Sequence, residues 1–252
     1  MDEENIFSRM NALVEKVGHD PDAVARSFGA TVGPAYLGIN GMVTKWLRKY
    51  RIALNRDQEA YQYTFAFWHE DFHILDGHLE LAGFLNEDGF HCDTDSFGSD
   101  FAKRMTAYTE KIANLGAADQ MLDTGKVLER IGYYTLVEYR NARRDYWNML
   151  QRYQRIRDSL RYTSSIYLKT QFAEAHRDLK RSYEKITDLE SEFSYGDFMT
   201  ISQIASEFGV PDHYVEYKLE ALRLQDFDID VQELKSYEKV FNKRRAANDI
   251  WD

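Results

Sequence analysis

From Asp57 to Leu81 the chain is dominated by aliphatic and aromatic residues, with Tyr61, Phe65, Trp68 and Phe72 falling three or four apart and Gly77 as the only helix breaker. That pattern predicts one long, largely buried helix, around which the rest of the chain has to pack. A helix apolar on most of its circumference needs partners on several sides. At 44% hydrophobic and 14% aromatic residues over 252 positions, the chain has enough material to supply them. What makes the stretch unusual is its polar content: "FAFWHEDFHILDGHLELAGF", Phe65 to Phe84, sets three histidines and several carboxylates among those apolar residues.

The flanks read as helices with a small β element. Ile6, Met10, Leu13 and Val17 recur at helical spacing up to Gly18. In "HDPDAVARSFG", Asp20 is a cap, Pro21 takes the first helical position and Gly29 is the stop. "INGMVTKWLRKYRIALN" reads as two extended segments, Met42–Trp46 and Arg51–Leu54, around a polar turn. After the buried helix, residues 85–98 form a Gly- and Asp-rich loop, and helical spacing resumes with Ser99 as its cap.

Between Leu136 and Phe193 the composition turns charged and tyrosine-rich. Leu136, Tyr139, Tyr146, Met149, Tyr153, Ile156 and Leu160 fit one side of an a/d seam. Phe172, Ala175, Leu179, Tyr183, Ile186, Leu189 and Phe193 fit the other, which predicts an antiparallel helical hairpin serving as a spacer arm or docking surface. "MTISQIASEFGVPDHYVEYKLEALRL", Met199–Leu224, has helix-turn-helix spacing, but its second helix carries Asp212, Glu216 and Glu220 and is poor chemistry for phosphate contacts. The expected fold is therefore mainly α with a small β element (α+β). The expected division is residues 1–135 as core, 136–195 as hairpin and 196–252 as a helix-turn-helix-like helical unit.

Charge and composition narrow the function. A formal net charge of -10 disfavours direct nucleic-acid binding or attachment to an anionic membrane. No run approaches the length of a membrane span, and "MDEENIFSRM" is acidic where a secretory signal would be basic. The single cysteine, Cys92, excludes an internal disulfide framework, and a cytoplasmic location is expected. "DTGKV" lacks the glycine four residues before Gly125 and a hydroxyl residue after Lys126, so it is not a phosphate loop. Cys92 beside His91 shows no pattern of a thiol nucleophile.

The chemistry sits in His69, Glu70 and His73, an HExxH pattern. Four residues advance a helix about 40° beyond a full turn, so the two imidazoles share a face and can share a zinc ion at about 2.0–2.1 Å each. Glu70 lies where a carboxylate could take the proton of an attacking water. On a continuous helix His78 is rotated about 140° from His73, and the Gly and His of a metzincin at positions 76 and 79 are Asp76 and Leu79 here. His78 is therefore expected to cap or fill the core. For the third ligand Glu110 is favoured, because Ala113, Asn114, Gly116, Ala117 and Ala118 leave its helix slim enough for close approach. His91, Asp93 and Asp95 in the following loop are rivals. Two histidines and one glutamate would leave a fourth position for water, as in a catalytic zinc site.

These motifs resemble the ImmA/IrrE-type metallopeptidases. "LGINGMV" and "RIALN" before the metal helix, "GHLELAGFL" and "GFHCDTD" after it, "EKIANLGAAD" as an ExxAN ligand helix and "YKLEALRLQDFDIDVQEL" near the end carry the likeness over nearly the whole chain. The resemblance implies a zincin-like metallopeptidase core and a cytosolic zinc endopeptidase that cleaves a helix-turn-helix transcriptional repressor, relieving repression in phage, mobile-element or stress-response control. It implies His69, His73 and Glu110 as ligands and Glu70 as general base. The alternative is a catalytically weak or inactive relative that regulates the same partner by binding. The family's usual HELGH is "HEDFH" here, which places Asp71 and the bulk of Phe72 beside the second ligand.

Overall fold

The structure is a computed structural model and describes residues 3–47, 49–80, 100–163, 165–195 and 198–248. Its described residues are mostly helical with a small three-stranded sheet, which agrees with the expected mainly α fold with a small β element. The chain divides into two compact units. Residues 1–124 and 201–231 form the first, and residues 125–200 and 232–252 form the second. Composition alone suggested cuts near 135 and 195, whereas packing draws the 201–231 segment into the first unit.

In the first unit, α1 (Glu3–Val17) and α2 (Pro21–Ser27) follow the expected signals. The Asp20 side chain accepts from the Asp22 amide at 3.1 Å, and Gly29 takes a positive φ of 72° after the helix. The sheet holds β1 (Thr31–Ala35), β2 (Gly41–Trp46) and β3 (Lys49–Asn55) in the order β1-β3-β2. β2 and β3 form the expected hairpin, and Val43 lies opposite Ile52. β1, parallel to β3, lies outside the two extended segments expected, and its Gly33 and Pro34 are poor strand formers. Pro34 is tolerated because β1 lies on an edge of the sheet.

The central helix α3 (Ala60–Leu75) starts and stops inside the bounds its periodicity suggested. The Glu59 amide donates to the Gln62 side chain at 3.1 Å at its start. It stops at Asp76 because Gly77 adopts a left-handed φ of 70°, and a short 3₁₀ turn, His78–Glu80, follows. The chain therefore turns at Gly77 instead of continuing to Leu81. Arg9 donates to the Leu75 carbonyl at 2.7 Å, satisfying one orphan acceptor at the helix end. Glu80 pairs with Lys45 and accepts from the Tyr50 hydroxyl at 3.0 Å, which ties the turn to the sheet.

One face of α3 lies on the sheet, where Ala66, Phe67 and Ile74 pack with Val43, Ile52 and Leu54, and with Ala25 and Ala30. Each large side chain buried there is worth about 1.5–3 kcal/mol. Another face meets α4 (Asp100–Met121), whose Ala113, Leu115, Gly116, Ala117 and Ala118 are buried. The Phe72 ring fills the space above Gly116: a Cβ at that glycine would lie 2.3 Å from it. Phe72 is fully buried and lies 6.2 Å from the Phe7 ring of α1.

The helix-turn-helix-like segment forms α8 (Ile201–Phe208) and α9 (Asp212–Leu224), with Gly209 at φ 66° in the turn. α9 packs along α4. Its Lys218 is fully buried, donating to the Asp119 carbonyl and carboxylate at 2.7 and 2.8 Å and to the Thr124 hydroxyl at 2.7 Å. The second helix of this segment is thus a packing element, and its central cation is spent on an internal ion pair.

In the second unit, α5 (Thr124–Arg130) begins within "DTGKV", and α6 (Tyr133–Leu160) and α7 (Ile166–Tyr195) form the antiparallel hairpin. The ring pairs Tyr139–Phe193, Tyr146–Tyr183 and Tyr153–Phe172 descend the seam in antiparallel register. Tyr183, in the middle pair, is 59% exposed, so the seam is open to solvent there. α10 (Val231–Asn248) contributes Tyr237 against Tyr139 and Glu233 to Arg140.

Gly116→Ala should destabilise the protein by about 1–3 kcal/mol through overpacking against Phe72. In a Phe72→Ala background the same substitution should cost much less. Chemical denaturation of the four proteins checks this coupling; additive losses would show that the two residues do not share the space.

Candidate metal centre

α3 presents His69 and His73 one turn apart, as HExxH spacing requires, and α4 brings Glu110 to them. His69 Nε2 and His73 Nε2 are 2.9 Å apart, and Glu110 reaches them with Oε2 at 3.3 Å and Oε1 at 3.3 Å. One ligand atom from each residue lies within 4.8 Å of the others, a group that could hold a metal ion. The edge of a zinc tetrahedron with bonds of about 2.0–2.1 Å is about 3.3–3.4 Å. The two histidine–carboxylate separations are of that size, each made by a different Glu110 oxygen, and the two histidine nitrogens sit closer together than that edge. The close approach of α3 to α4 makes them possible, and the glycine and alanines of α4 permit it.

The ring of His69 is fixed from behind. Its Nδ1 lies 3.0 Å from Asn114 Oδ1, one turn beyond Glu110 on α4. An amide oxygen only accepts, so His69 Nδ1 donates to it, and Nε2 is the nitrogen turned toward Glu110 and available to a metal. Sequence reasoning counted Asn114 as a slim residue and as the last residue of the ExxAN pattern, with no contact assigned to it. Its i+4 offset from Glu110 places both on one helix face, and that offset was the available signal.

Glu70 is 2% exposed and packs against the sheet side of α3, where the Val43 amide of β2 donates to its carboxylate. Gly41 makes room: a Cβ there would lie 3.1 Å from Glu70 Oε1. A cleft of about 160 Å³ opens beside these groups, lined by Asn40, Gly41, Phe65, Ala66, His69 and Glu70 among others. Phe72 and Asp71 are not among its lining residues. Both departures from HELGH therefore point into the protein, and Gly116 accommodates the bulk of Phe72.

The electrostatics follow from burying four ionisable groups together. Burial raises the Glu70 carboxyl to about 7, opposed by the charge of His69 and assisted by that of Glu110. Burial lowers His73 to about 4 despite its hydrogen bond to Glu110, with the charge on His69 acting in the same direction as burial. Burial also opposes the charged form of His69, but the hydrogen bond to Glu110, the charges of Glu70 and Glu110, and Asn114 outweigh it and raise its pKa. Glu110 resists its own burial and stays well below the usual carboxylate range because both histidines hydrogen-bond to it. Its negative charge is therefore maintained for a cation.

The remaining sequence candidates divide. His78 is fully buried on the 3₁₀ turn, outside the group of three residues that could hold a metal ion. Its Nδ1 approaches His73 Nδ1 at 2.6 Å and its Nε2 approaches Asp76 Oδ2 at 2.6 Å. His91, Cys92, Asp93 and Asp95 lie outside the described residues. No helix among the described residues is long and apolar enough to cross a membrane.

Asp71 has no visible task. It is fully buried, and neither carboxylate oxygen has a hydrogen-bond partner among the described residues. Burial, with the charges of Glu70, Asp22 and Asp20, pushes its pKa well above 3.8. The folded state then holds a proton that the unfolded chain has released, so its contribution to stability is present below about 3.8 and is lost as pH rises through the folded value. Asp71→Asn should therefore gain stability over the natural protein as pH rises from 4 to 8, with the two nearest at pH 4. Melting temperatures across that range check the sign; a gap that narrows with pH would contradict it.

Comparison with models of known protein families, with curated proteins and with solved structures finds no match to this chain, so the likeness to the ImmA/IrrE-type metallopeptidases rests on its motifs alone.

Proposed function

We propose that this protein is a zinc-dependent endopeptidase with a zincin-like core whose substrate is a helix-turn-helix transcriptional repressor. The observation that carries the reading is the convergence of His69 Nε2, His73 Nε2 and the Glu110 carboxylate beside the buried Glu70, at the edge of a cleft. Borderline-soft imidazole nitrogens with one carboxylate suit zinc, and a three-residue set leaves room for water or substrate. A zinc ion bound there would supply Lewis acidity and acidify a water molecule.

The chain's own groups provide the rest of the reaction. Glu70 takes the proton of the attacking water on its carboxylate and returns it to the leaving amide nitrogen. The Val43 amide holds that carboxylate in place, and Phe65 and Ala66 give the cleft an apolar wall that keeps bulk water out. β2 supports a peptide as substrate. It pairs with β3 on one side and lies on the sheet edge, and its Gly41 lines the cleft. An extended segment could add to that edge through main-chain hydrogen bonds. The choice of a helix-turn-helix repressor comes from the resemblance of the motifs, and with it the expectation of a cytosolic protein.

Zinc should copurify at about one equivalent per chain, and His69→Ala should lose it. Glu70→Gln should keep zinc and lower the rate of repressor cleavage by about 10²- to 10⁴-fold. Cleavage assays with metal analysis check both. If Glu70→Gln still relieves repression in cells as well as the natural protein does, the partner is controlled by binding and not by proteolysis.

A further inference from the structure

We infer that Asp76 and His78 are positioning residues that decide which nitrogen of His73 faces the metal. The inference rests on the reading of His69, His73 and Glu110 as a metal site and adds two residues to it. The evidence is a chain of short contacts running away from the ligands: His73 Nδ1 to His78 Nδ1 at 2.6 Å, then His78 Nε2 to Asp76 Oδ2 at 2.6 Å.

The direction of this chain follows from its last member. An ionised carboxylate only accepts, so His78 Nε2 must donate to Asp76. With the one N–H of its neutral form spent on Asp76, His78 has Nδ1 as the acceptor of the pair. The nitrogen facing it, His73 Nδ1, must then donate. His73 is left with its lone pair on Nε2, the atom lying 2.9 Å from His69 Nε2 and 3.3 Å from Glu110 Oε1. His73 and His78 are both fully buried, so solvent does not compete for these positions. Through His78, the carboxylate also polarises His73 and makes it the better electron donor.

The backbone places the relay. On an unbroken helix His78 would face away from His73, but Gly77 at φ 70° ends α3 and folds His78 back beneath the ring of its neighbour, with ring centroids 4.9 Å apart. The two ligand histidines are thus oriented by different means. His69 leans on the neutral amide of Asn114, and His73 leans on an imidazole backed by a carboxylate.

Nitrogen-edited NMR of the metal-free natural protein near neutral pH reads the tautomers directly. His73 should be protonated on Nδ1 and His78 on Nε2; a proton on Nε2 of neutral His73 would overturn the inference without reference to zinc. Zinc affinity, measured by competition with a coloured chelator, gives the second readout. His78→Phe and Asp76→Ala should weaken binding about 10- to 100-fold. His78→Asn, whose amide oxygen can stand where Nδ1 stood, should recover most of the loss. Full affinity in a folded His78→Phe protein, or an Asn variant as weak as the Phe variant, would show a packing role only. If the natural protein itself binds no zinc, the metal reading fails and this inference fails with it, whatever the variants do.

Discussion

The contact between Phe72 and Gly116 sets how closely α3 and α4 can approach, and the rest of the site depends on that approach. A side chain at position 116 would meet the phenyl ring at 2.3–2.4 Å, so the two helices could not hold their present separation. At that separation Glu110 lies within 3.3 Å of both histidines and Asn114 within 3.0 Å of one of them. Moving α4 outward by the width of a methyl group would leave two buried histidines without their carboxylate. Phe72, one of the two departures from the HELGH pattern, is therefore the knob that fits the small-residue surface of α4.

That geometry concentrates opposing charges where water is scarce. Glu110 is held in its charged form by the two imidazoles beside it, while Glu70, held by one backbone amide and mostly desolvated, is raised to about 7. Two carboxylates on neighbouring helices are thus driven apart in acidity by their surroundings, which is the pattern expected when one is a ligand and the other a base. Asp71 is the exception. Its burial without a partner disfavours its charged form and serves no group of the site.

Much of this could be read from the residues because it is local. HExxH places two imidazoles on one helix face by period alone, and the run of small residues after Glu110 marks a helix built to be approached. Asp20, Pro21 and Gly29 announce α2 in the same local way. Other features depend on contacts between distant segments. Gly33 and Pro34 hide β1, which becomes a strand only because β3 offers it an edge. The Val43 amide reaches Glu70 through tertiary packing that no spacing encodes. His78 looked remote because its rotation was reckoned on a continuous helix, whereas the left-handed turn at Gly77 reverses the chain and returns it to His73.

The central claim is that His69, His73 and Glu110 together hold one zinc ion. Crystals of the zinc-loaded protein, measured on both sides of the zinc absorption edge, test it most directly. The account predicts one anomalous peak about 2.0–2.2 Å from His69 Nε2, His73 Nε2 and a Glu110 oxygen, with His78 outside the coordination sphere. A peak that engages His78 in place of Glu110, or zinc bound only elsewhere on the chain, would contradict it.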